Sequence, residues 1–302
     1  MASGLRSWLL ALMFAVTASV ACAADPRALI LREDTAIARQ AAEVIAAELV
    51  RQGWSVTESG PGAMEARPAG DATVIVLGPK ALATLVGWPR VSGGRAAVAA
   101  LVTRSAVDEQ PAPGERWSAI VLDQPAERWA SLIQLAFPGR HVVGVLVGAI
   151  NRKWLTPLER KFHERQLTMI DETVAATDDV VPALERLLPR AAVLLALPDP
   201  AVHNRNTVQS LLLTTYRAGV PVVAYSESYL QAGAAIALYS TPAQIATQVI
   251  ETVNSLREGR AIATVQAPRY FTVGVNAAVA RSLGLQLPSG SELRERLRAG
   301  DQ

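Results

Sequence analysis

Apolar runs of four to eight residues alternate along the chain with longer stretches in which apolar residues recur every three or four positions. The short runs lie at residues 28–31, 73–77, 96–103, 118–122, 141–147, 167–172, 192–197, 220–225 and 234–239. Stretches of helical period lie between many of them, and 36–52 and 242–256 are the longest. Short apolar runs without polar alternation are typical of strands buried on both faces, as in parallel sheets covered by helices. The pattern therefore predicts an α/β protein with mainly parallel sheets.

The stretch from residue 190 to residue 259 shows this alternation most clearly. The apolar run 192–197 ends at Pro198-Asp199-Pro200, and the run 220–225 is followed by Ser226-Glu227-Ser228. Ligands of parallel sheets bind beyond the carboxyl ends of the strands, where these residues stand. The candidate ligand-binding residues of this stretch are Asp199, Tyr225, Ser226 and Glu227.

Each of these positions also has a structural interpretation. The carboxylate of Asp199 either pairs with an ammonium or hydroxyl of a ligand or caps the helix that follows. Glu227 either contacts the ligand or holds the loop of a hinge. Tyr225 and Tyr229 either stack on a flat apolar ligand or line the wall between domains. His203, shortly after Asp199, is either a ligand contact or a surface residue at a helix start.

Two further loops follow strands in the same way. Gly78-Pro79-Lys80 follows the run 73–77. Because proline has no N–H, this loop offers a ligand one backbone amide donor fewer. Gly78 and Lys80 are candidate ligand contacts, or else parts of an ordinary strand-to-helix turn. Asn151 lies in the loop after the run 141–147, with Trp154 three residues later, and the two form a candidate polar and aromatic ligand contact.

Composition narrows the classes of function. The chain has 302 residues, enough for one large or two ordinary domains, and 50% of them are hydrophobic. A formal net charge of +2 disfavours a nucleic-acid partner. The three histidines lack the spacing of a zinc site. The sequence contains no nucleophile elbow, phosphate-binding loop or dinucleotide fingerprint, so we predict a protein that is not an enzyme and has no metal or cofactor.

Residues 1–23 are predicted to be a secretory signal peptide. Arg6 precedes an apolar run, 8–20, that is too short for a membrane span, and Ala21-Cys22-Ala23 fits a cleavage site. Cys22, the only cysteine, offers the alternative of lipid attachment at a new N-terminus. In either case the folded body has no cysteine pair, so a disulfide and a cysteine metal site are excluded. We therefore expect a periplasmic or otherwise exported protein.

The segments LALPDPAV, GVPVVAYSES, QAGAAIALYSTPAQIATQVIETVNSLREGR and VGVNAAVARSLGLQLP all lie in the second half of the chain. In order and spacing they resemble the ABC-transporter substrate-binding proteins of the periplasmic-binding-protein type I kind. The resemblance implies two Rossmann-like domains joined by a hinge. It assigns residues 24–123 and 236–262 to the first domain, and residues 124–235 and 263–302 to the second.

The function that this resemblance implies is that of an exported, monomeric solute-binding protein. It would trap a small organic solute, such as one like an amino acid, between its two lobes. The closed form would then dock on the membrane permease of an ABC transporter. Affinity would come from hydroxyls, carboxylates and backbone amides that converge on a largely dry cleft.

Several loops depart from the family pattern. Pro79 stands where the family often has a hydroxyl residue, and Arg104-Ser105 stand where it has an Asp-Pro pair. Residues 148–151 replace an Asn-Pro-Ser-Glu-like loop, and Ser226 replaces an aspartate. These departures leave two alternatives open. One is an envelope sensor or interaction protein that no longer serves transport, and the other is a two-domain enzyme such as a glycosyltransferase.

Overall fold

The computed structural model describes residues 25–60, 72–89, 95–114, 116–149, 152 and 155–300. The predicted signal peptide with Cys22, and the pair Asn151 and Trp154, lie outside these residues. The described part of the chain forms two six-stranded sheets. We call each sheet, with the helices that pack on it, a lobe.

The first sheet consists of β1 (Arg27–Arg32), β2 (Ser55–Ser59), β3 (Thr73–Leu77), β4 (Ala97–Val102), β5 (Trp117–Val121) and β11 (Val265–Gln266). Its spatial order is β11-β5-β4-β3-β1-β2, and every neighbouring pair is parallel. The helices of this lobe are α1 (Ala36–Arg51), α2 (Pro79–Gly87), α3 (Arg104–Asp108) and α9 (Pro242–Arg257).

The second sheet consists of β6 (Val142–Gly148), β7 (Thr168–Val174), β8 (Val193–Leu195), β9 (Val222–Ala224), β10 (Ile236–Tyr239) and β12 (Thr272–Val275). Its order is β12-β10-β9-β8-β6-β7, with β12 antiparallel and the other pairs parallel. The helices of this lobe are α4 (Ala126–Ala136), α5 (Leu155–Glu164), α6 (Val180–Leu187), α7 (Val208–Arg217), α8 (Glu227–Ala232), α10 (Ala277–Ser282) and α11 (Gly290–Gly300). The predicted α/β class with mainly parallel sheets is confirmed.

The unbroken apolar strands are explained by helices on both faces of each sheet. In β3, Ile75 and Leu77 pack into one core cluster with α1 and α9, while Val74 and Val76 pack into another with α2. All four side chains are fully buried. Because neighbouring residues of a strand point to opposite faces, both faces must be apolar when both are covered.

The chain crosses between the lobes three times in the described residues, at 122–125, 240–241 and 267–271. Two of these crossings differ from the predicted boundaries. The strand β10, assigned from sequence to the first domain, pairs with β9 and β12 in the second sheet. The strand β11, assigned to the second, pairs with β5 in the first. An apolar run reveals that it is a strand, but its partners are set by contacts with distant residues.

The helix α9 belongs to the first lobe, where Val249 and Val253 pack in one cluster with Ile45 of α1. It begins at a capping box in which the Thr241 hydroxyl accepts from the Gln244 amide and the Gln244 side chain accepts from the Thr241 amide. This cap starts the helix directly after the second crossing. Among the described residues, no helix has the length and apolar character needed to cross a membrane.

Candidate functional site

A cleft lies between the two lobes, at the carboxyl ends of both sheets. One cavity of about 370 Å³ is lined from the first lobe by Arg104 and Ser105, from the first crossing by Asp123, and from the second lobe by Leu146 and Asp199, among others. Its remaining lining residues are Gln124, Ala126, Trp129, Val147, Leu155, Pro157, Leu158, Leu197 and Pro198.

A second cavity, of about 580 Å³, shares Ser105, Pro198 and Asp199 with the first. It extends to Pro79 and Glu109 on the first lobe and to Gly148, Ala201 and Tyr225 on the second, among others. We call the two cavities together the interlobe cleft. A space of this size between domains, with mostly apolar walls and a few polar groups, is typical of small-molecule sites.

The predicted site residues are placed unequally around this cleft. Asp199 lines both cavities and Tyr225 lines the second. Gly78 and Lys80 flank the lining residue Pro79, and Ser226 and Glu227 follow Tyr225, without lining either cavity themselves. Ligand contact therefore stays a prediction for all of them.

Asp199 is held by the backbone of its own lobe. Its side chain is 4% exposed, and one carboxylate oxygen accepts from the Gly148 amide at 2.7 Å while the other accepts from the Ala201 amide at 3.0 Å. A Cβ on Gly148 would lie 2.8 Å from the Ala201 Cβ, so only glycine allows this approach. The carboxylate thus ties the end of β6 to the loop after β8, and it shapes the wall of the cleft.

Behind this wall lies an aromatic cluster of Tyr225, Tyr229 and His203. The ring centres of Tyr225 and Tyr229 are 5.6 Å apart, and that of His203 is 6.0 Å from Tyr225. The Nδ1 atom of His203 is 2.7 Å from the Tyr229 hydroxyl. His203 is therefore a buried residue of the second lobe and not a surface residue at a helix start.

Burial sets the charge state of this cluster. Loss of solvation lowers the pKa of His203 to about 4, against an opposing effect of the Asp199 carboxylate, so the imidazole is neutral at pH 7. Burial, and secondarily Asp199, raises the pKa of Tyr225, and burial also raises the pKa of Tyr229. Both phenols are therefore neutral at pH 7. The Nε2 atom of His203 is buried and has no hydrogen-bond partner among the described residues.

Ser226 and Glu227 form the start of α8. The Ser226 hydroxyl accepts from the Tyr229 amide at 3.3 Å as the helix cap, and Glu227 stands in the first turn. An acidic residue in the first turn is favoured by the helix dipole. These contacts support the structural interpretation of the loop.

Gly78 and Lys80 form the start of α2 together with a residue that sequence reasoning missed. The Glu33 carboxylate accepts from the Lys80 amide at 2.6 Å, across 47 positions of sequence. Gly78 has φ of 109°, and a Cβ there would lie 2.6 Å from the Glu33 side chain. A side-chain carboxylate of the protein therefore occupies the N-terminus of α2, where a helix favours an anion.

Asp123 is a second residue of the cleft that the sequence analysis did not select. Its carboxylate accepts from the Arg104 amide at 2.7 Å and lines the smaller cavity. Burial raises the pKa of Asp123, and hydrogen bonds from the amides of Arg104 and of Asp123 itself oppose this. Its place directly after β5 was the available indication, since it is equivalent to the place of Asp199 after β8.

Arg128 connects the crossings below the cleft. Its Nη1 donates to the Gln124 side chain at 2.7 Å and to the Pro268 carbonyl at 3.0 Å. The Ser240 hydroxyl donates to the Tyr270 carbonyl at 2.6 Å, which joins the second crossing to the third. We call these five residues the hinge network.

The fold matches that of solved two-lobed binding proteins. A ligand-free, open substrate-binding protein with adhesive properties from Clostridium difficile superposes with a TM-score of 0.70 and 13% identity, over 87% of this chain and 96% of that one. A Streptococcus pneumoniae ABC domain in complex with L-Trp gives 0.64 and 12%, over 89% and 98%. A periplasmic ribose ABC transporter protein from Conexibacter woesei gives 0.53 and 14%, over 90% and 98%.

At these identities the likeness establishes the fold, so the periplasmic-binding-protein type I architecture implied by the sequence is confirmed. No family model matches the chain, and no curated protein matches it. Among the described residues, no group of three or more histidine, cysteine or acidic side chains is arranged to hold a metal ion. The arrangement can enclose a small organic molecule between two walls that a hinge connects.

Proposed function

We propose that this protein is an exported solute-binding protein of an ABC-type uptake system. It traps a small organic solute between its lobes and delivers it, as a monomer, to a membrane permease. The observation that carries the proposal is the interlobe cleft, in which Arg104, Ser105 and Asp123 face Leu146 and Asp199 across the space between the sheets.

The walls of the cleft suit reversible binding. One wall contributes the apolar side chains of Leu146, Leu155 and Leu158, which a solute can cover with its carbon skeleton. Asp123 and Ser105 contribute polar atoms that can fix its orientation. Binding of this kind needs no covalent step, and we infer a function without catalysis.

Closure would take place at the three crossings. A solute that touches both lobes stabilises the closed form only by the difference between its affinities for the closed and open forms. Since the hinge network joins the crossings to one another, we expect the three crossings to bend together. One lobe would then rotate against the other about a single axis. Two of the three solved relatives named above are described with a bound or transported solute, L-Trp and ribose, which supports a solute partner without fixing its class.

A screen by thermal unfolding tests the proposal. The protein, as processed by an expressing host, would be heated with amino acids, sugars, nucleosides, amines and vitamins in turn. A solute at a hundredfold excess over its Kd adds about 2.7 kcal/mol to the free energy of unfolding, which raises the midpoint. Small-angle scattering with and without the solute would then report closure.

The absence of any midpoint shift or closure across the library would overturn the proposal. It would favour the alternative of an envelope sensor or interaction protein on the same scaffold. That alternative draws support from the adhesive properties of the Clostridium difficile protein and from three exposed apolar side chains on α1, Ile37, Val44 and Val50. Cross-linking in intact cells would then identify the partner.

A further inference from the structure

Among the described residues, four charged side chains line the interlobe cleft, and three of them are acidic. Arg104 and Asp123 line the smaller cavity, Glu109 lines the larger one, and Asp199 lines both. The single cation, Arg104, is paired with Asp108 at 2.9 Å. The lining that the described part of the chain contributes is therefore acidic overall.

The carboxylates of this lining differ in their hydrogen-bond donors. Both oxygens of Asp199 accept backbone amides, from Gly148 and Ala201. The Asp123 carboxylate accepts the Arg104 amide, and its own backbone amide contributes a second bond. In the described part of the chain, no side-chain cation forms a hydrogen bond or ion pair with Asp123. The Arg104 guanidinium, which pairs with Asp108, also favours the ionised Asp123 carboxylate, but the cost of burial is the larger effect, and a solute cation in contact would offset that cost.

At the N-terminus of α2, by contrast, a carboxylate of the protein already occupies the place where a solute anion could bind. Pro79 lines the larger cavity and has no N–H, and the amide of Lys80 is taken by Glu33 at 2.6 Å. A solute carboxylate at this helix end would have to displace Glu33 and would meet its charge. The first lobe thus offers a site for a cation and excludes an anion from its most favourable helix end.

We propose that the solute is an organic amine without a carboxylate group, and that its ammonium pairs with Asp123 while its carbon skeleton lies against Trp129, Leu146 and Leu158. This inference rests on the proposed function and names the class of solute for the same cleft. The raised pKa of Asp123 agrees with it, because burial disfavours the ionised carboxyl more than the amides of Arg104 and Asp123 and the Arg104 charge favour it, and a solute cation would shift that balance.

Matched probes test the class of solute. Tryptamine, tryptophan, tryptophol and indole-3-propionate share one apolar body, and isopentylamine, leucine, isopentanol and 4-methylpentanoate share another. Titration calorimetry on the whole protein would compare their affinities. We expect the amine of at least one series to bind on the order of tenfold more tightly than its alcohol, and the acids to show no binding.

Substitutions then locate the contact. Asp123→Asn keeps an oxygen for the Arg104 amide and removes the charge, so amine affinity should fall on the order of tenfold to a hundredfold while alcohol affinity stays unchanged. Glu164→Gln, on the exposed face of α5, changes the net charge equally and should leave both affinities unchanged. Glu33→Gln should raise the affinity for the amino acid of the same series.

A pH series keeps the test independent of how Asp123→Asn folds. Between pH 8 and pH 4 the amines stay protonated, so their affinity should fall as Asp123 gains a proton, while alcohol affinity stays level. Arg104 and Asp108 act directly on Asp123, and Asp199 and Glu109 line the same cleft, so the series would be repeated with Asp108→Asn.

The outcomes separate this inference from the proposed function. Tighter binding of a sugar or an amino acid, with closure but without dependence on Asp123, would overturn the amine inference and support the solute-binding function. An amine that binds equally well to Asp123→Asn would also overturn it. Failure of every solute to bind would overturn both.

Discussion

The guanidinium carbon of Arg128 lies 4.0 Å from the centre of the Phe271 ring, and this contact joins the helix after the first crossing to the end of the third. The arginine is 6% exposed, and the phenylalanine is almost completely buried. Arg128 also donates to the Gln124 side chain and to the Pro268 carbonyl. A single buried cation therefore connects two of the three segments about which the lobes move.

Replacement of Arg128 should destabilise the protein. Arg128→Met keeps most of the volume, but leaves the Gln124 oxygen and the Pro268 carbonyl without this donor and removes the cation–π contact. We expect a loss of about 2–4 kcal/mol in the free energy of unfolding, measured by urea denaturation. Arg186→Met, which breaks an exposed ion pair with Glu172, is the matched control and should cost less than about 1 kcal/mol. Equal effects of the two changes would contradict the role given to Arg128.

Asp199→Ala should also destabilise the second lobe. It leaves the buried amide of Gly148 without an acceptor, while the amide of Ala201 is at an exposed residue, so we expect a cost of about 1–3 kcal/mol in the free energy of unfolding. Asp34→Ala, which removes an exposed ion pair with Arg39, should cost less than about 1 kcal/mol. If Asp199→Ala abolished solute binding at unchanged stability, Asp199 would be a ligand contact and not a structural tie.

Gly148→Ala tests the close approach of the two strand-end loops. The new Cβ would lie 2.8 Å from the Ala201 Cβ and 3.3 Å from both Asp199 carboxylate oxygens. Such overpacking typically costs about 1–3 kcal/mol, which thermal and urea unfolding would detect. At Gly87, by contrast, a Cβ meets nothing within 4 Å, so Gly87→Ala should be neutral. A neutral Gly148→Ala would show that the loops can separate without loss.

His203 should make the stability of the protein depend on pH. Its pKa is about 4 in the folded protein and about 6.5 in the unfolded chain, so the unfolded chain binds more protons between these values. Stability should therefore be complete above pH 6.5 and fall by about 3 kcal/mol as the pH drops towards 4.

The pH dependence can be assigned by subtraction. The free energy of unfolding would be measured at several pH values for the protein and for His203→Asn, and the difference between them removes the contribution of other groups. His163→Asn, at an exposed position on α5, serves as the control and should leave the slope unchanged. A slope that persists in His203→Asn would show that another group titrates.

The fold was predictable from sequence because burial on both faces leaves a local trace. In β3, Val74, Ile75, Val76 and Leu77 are all buried, and a run of four apolar residues shows this without any knowledge of their partners. The partners themselves were not predictable in every case. The run at 234–239 has the same apolar character whether it joins the first sheet or the second, and only the pairing of Ile236 with Val223 and Val275 decides.

The candidate site was predictable in position and less so in its residues. The carboxyl ends of the strands indicated the region of Asp199 and Tyr225, and both residues line the cleft, while ligand binding by them stays a prediction. Glu33 was missed because its role depends on Lys80, which is distant in sequence and follows a different strand. Asp123 was missed because its environment depends on Arg104 and on the closeness of the second lobe. The contact between Glu33 and Lys80 leaves no local pattern, and the only local indication of Asp123 is its place after β5.

The order of the crossings has a consequence for how the chain matures. The core of the first lobe includes Ile245, Val249 and Val253 of α9, and its sheet ends with β11. A ribosome or translocation channel delivers these segments only after the strands β6 to β10 of the second lobe. Until then the buried face of α1, with Ile45 and Leu49, has no cover from α9. The first lobe is therefore completed only after five strands of the second lobe have been made, although its own first five strands precede them in the chain, and β12 to α11 then complete the second lobe.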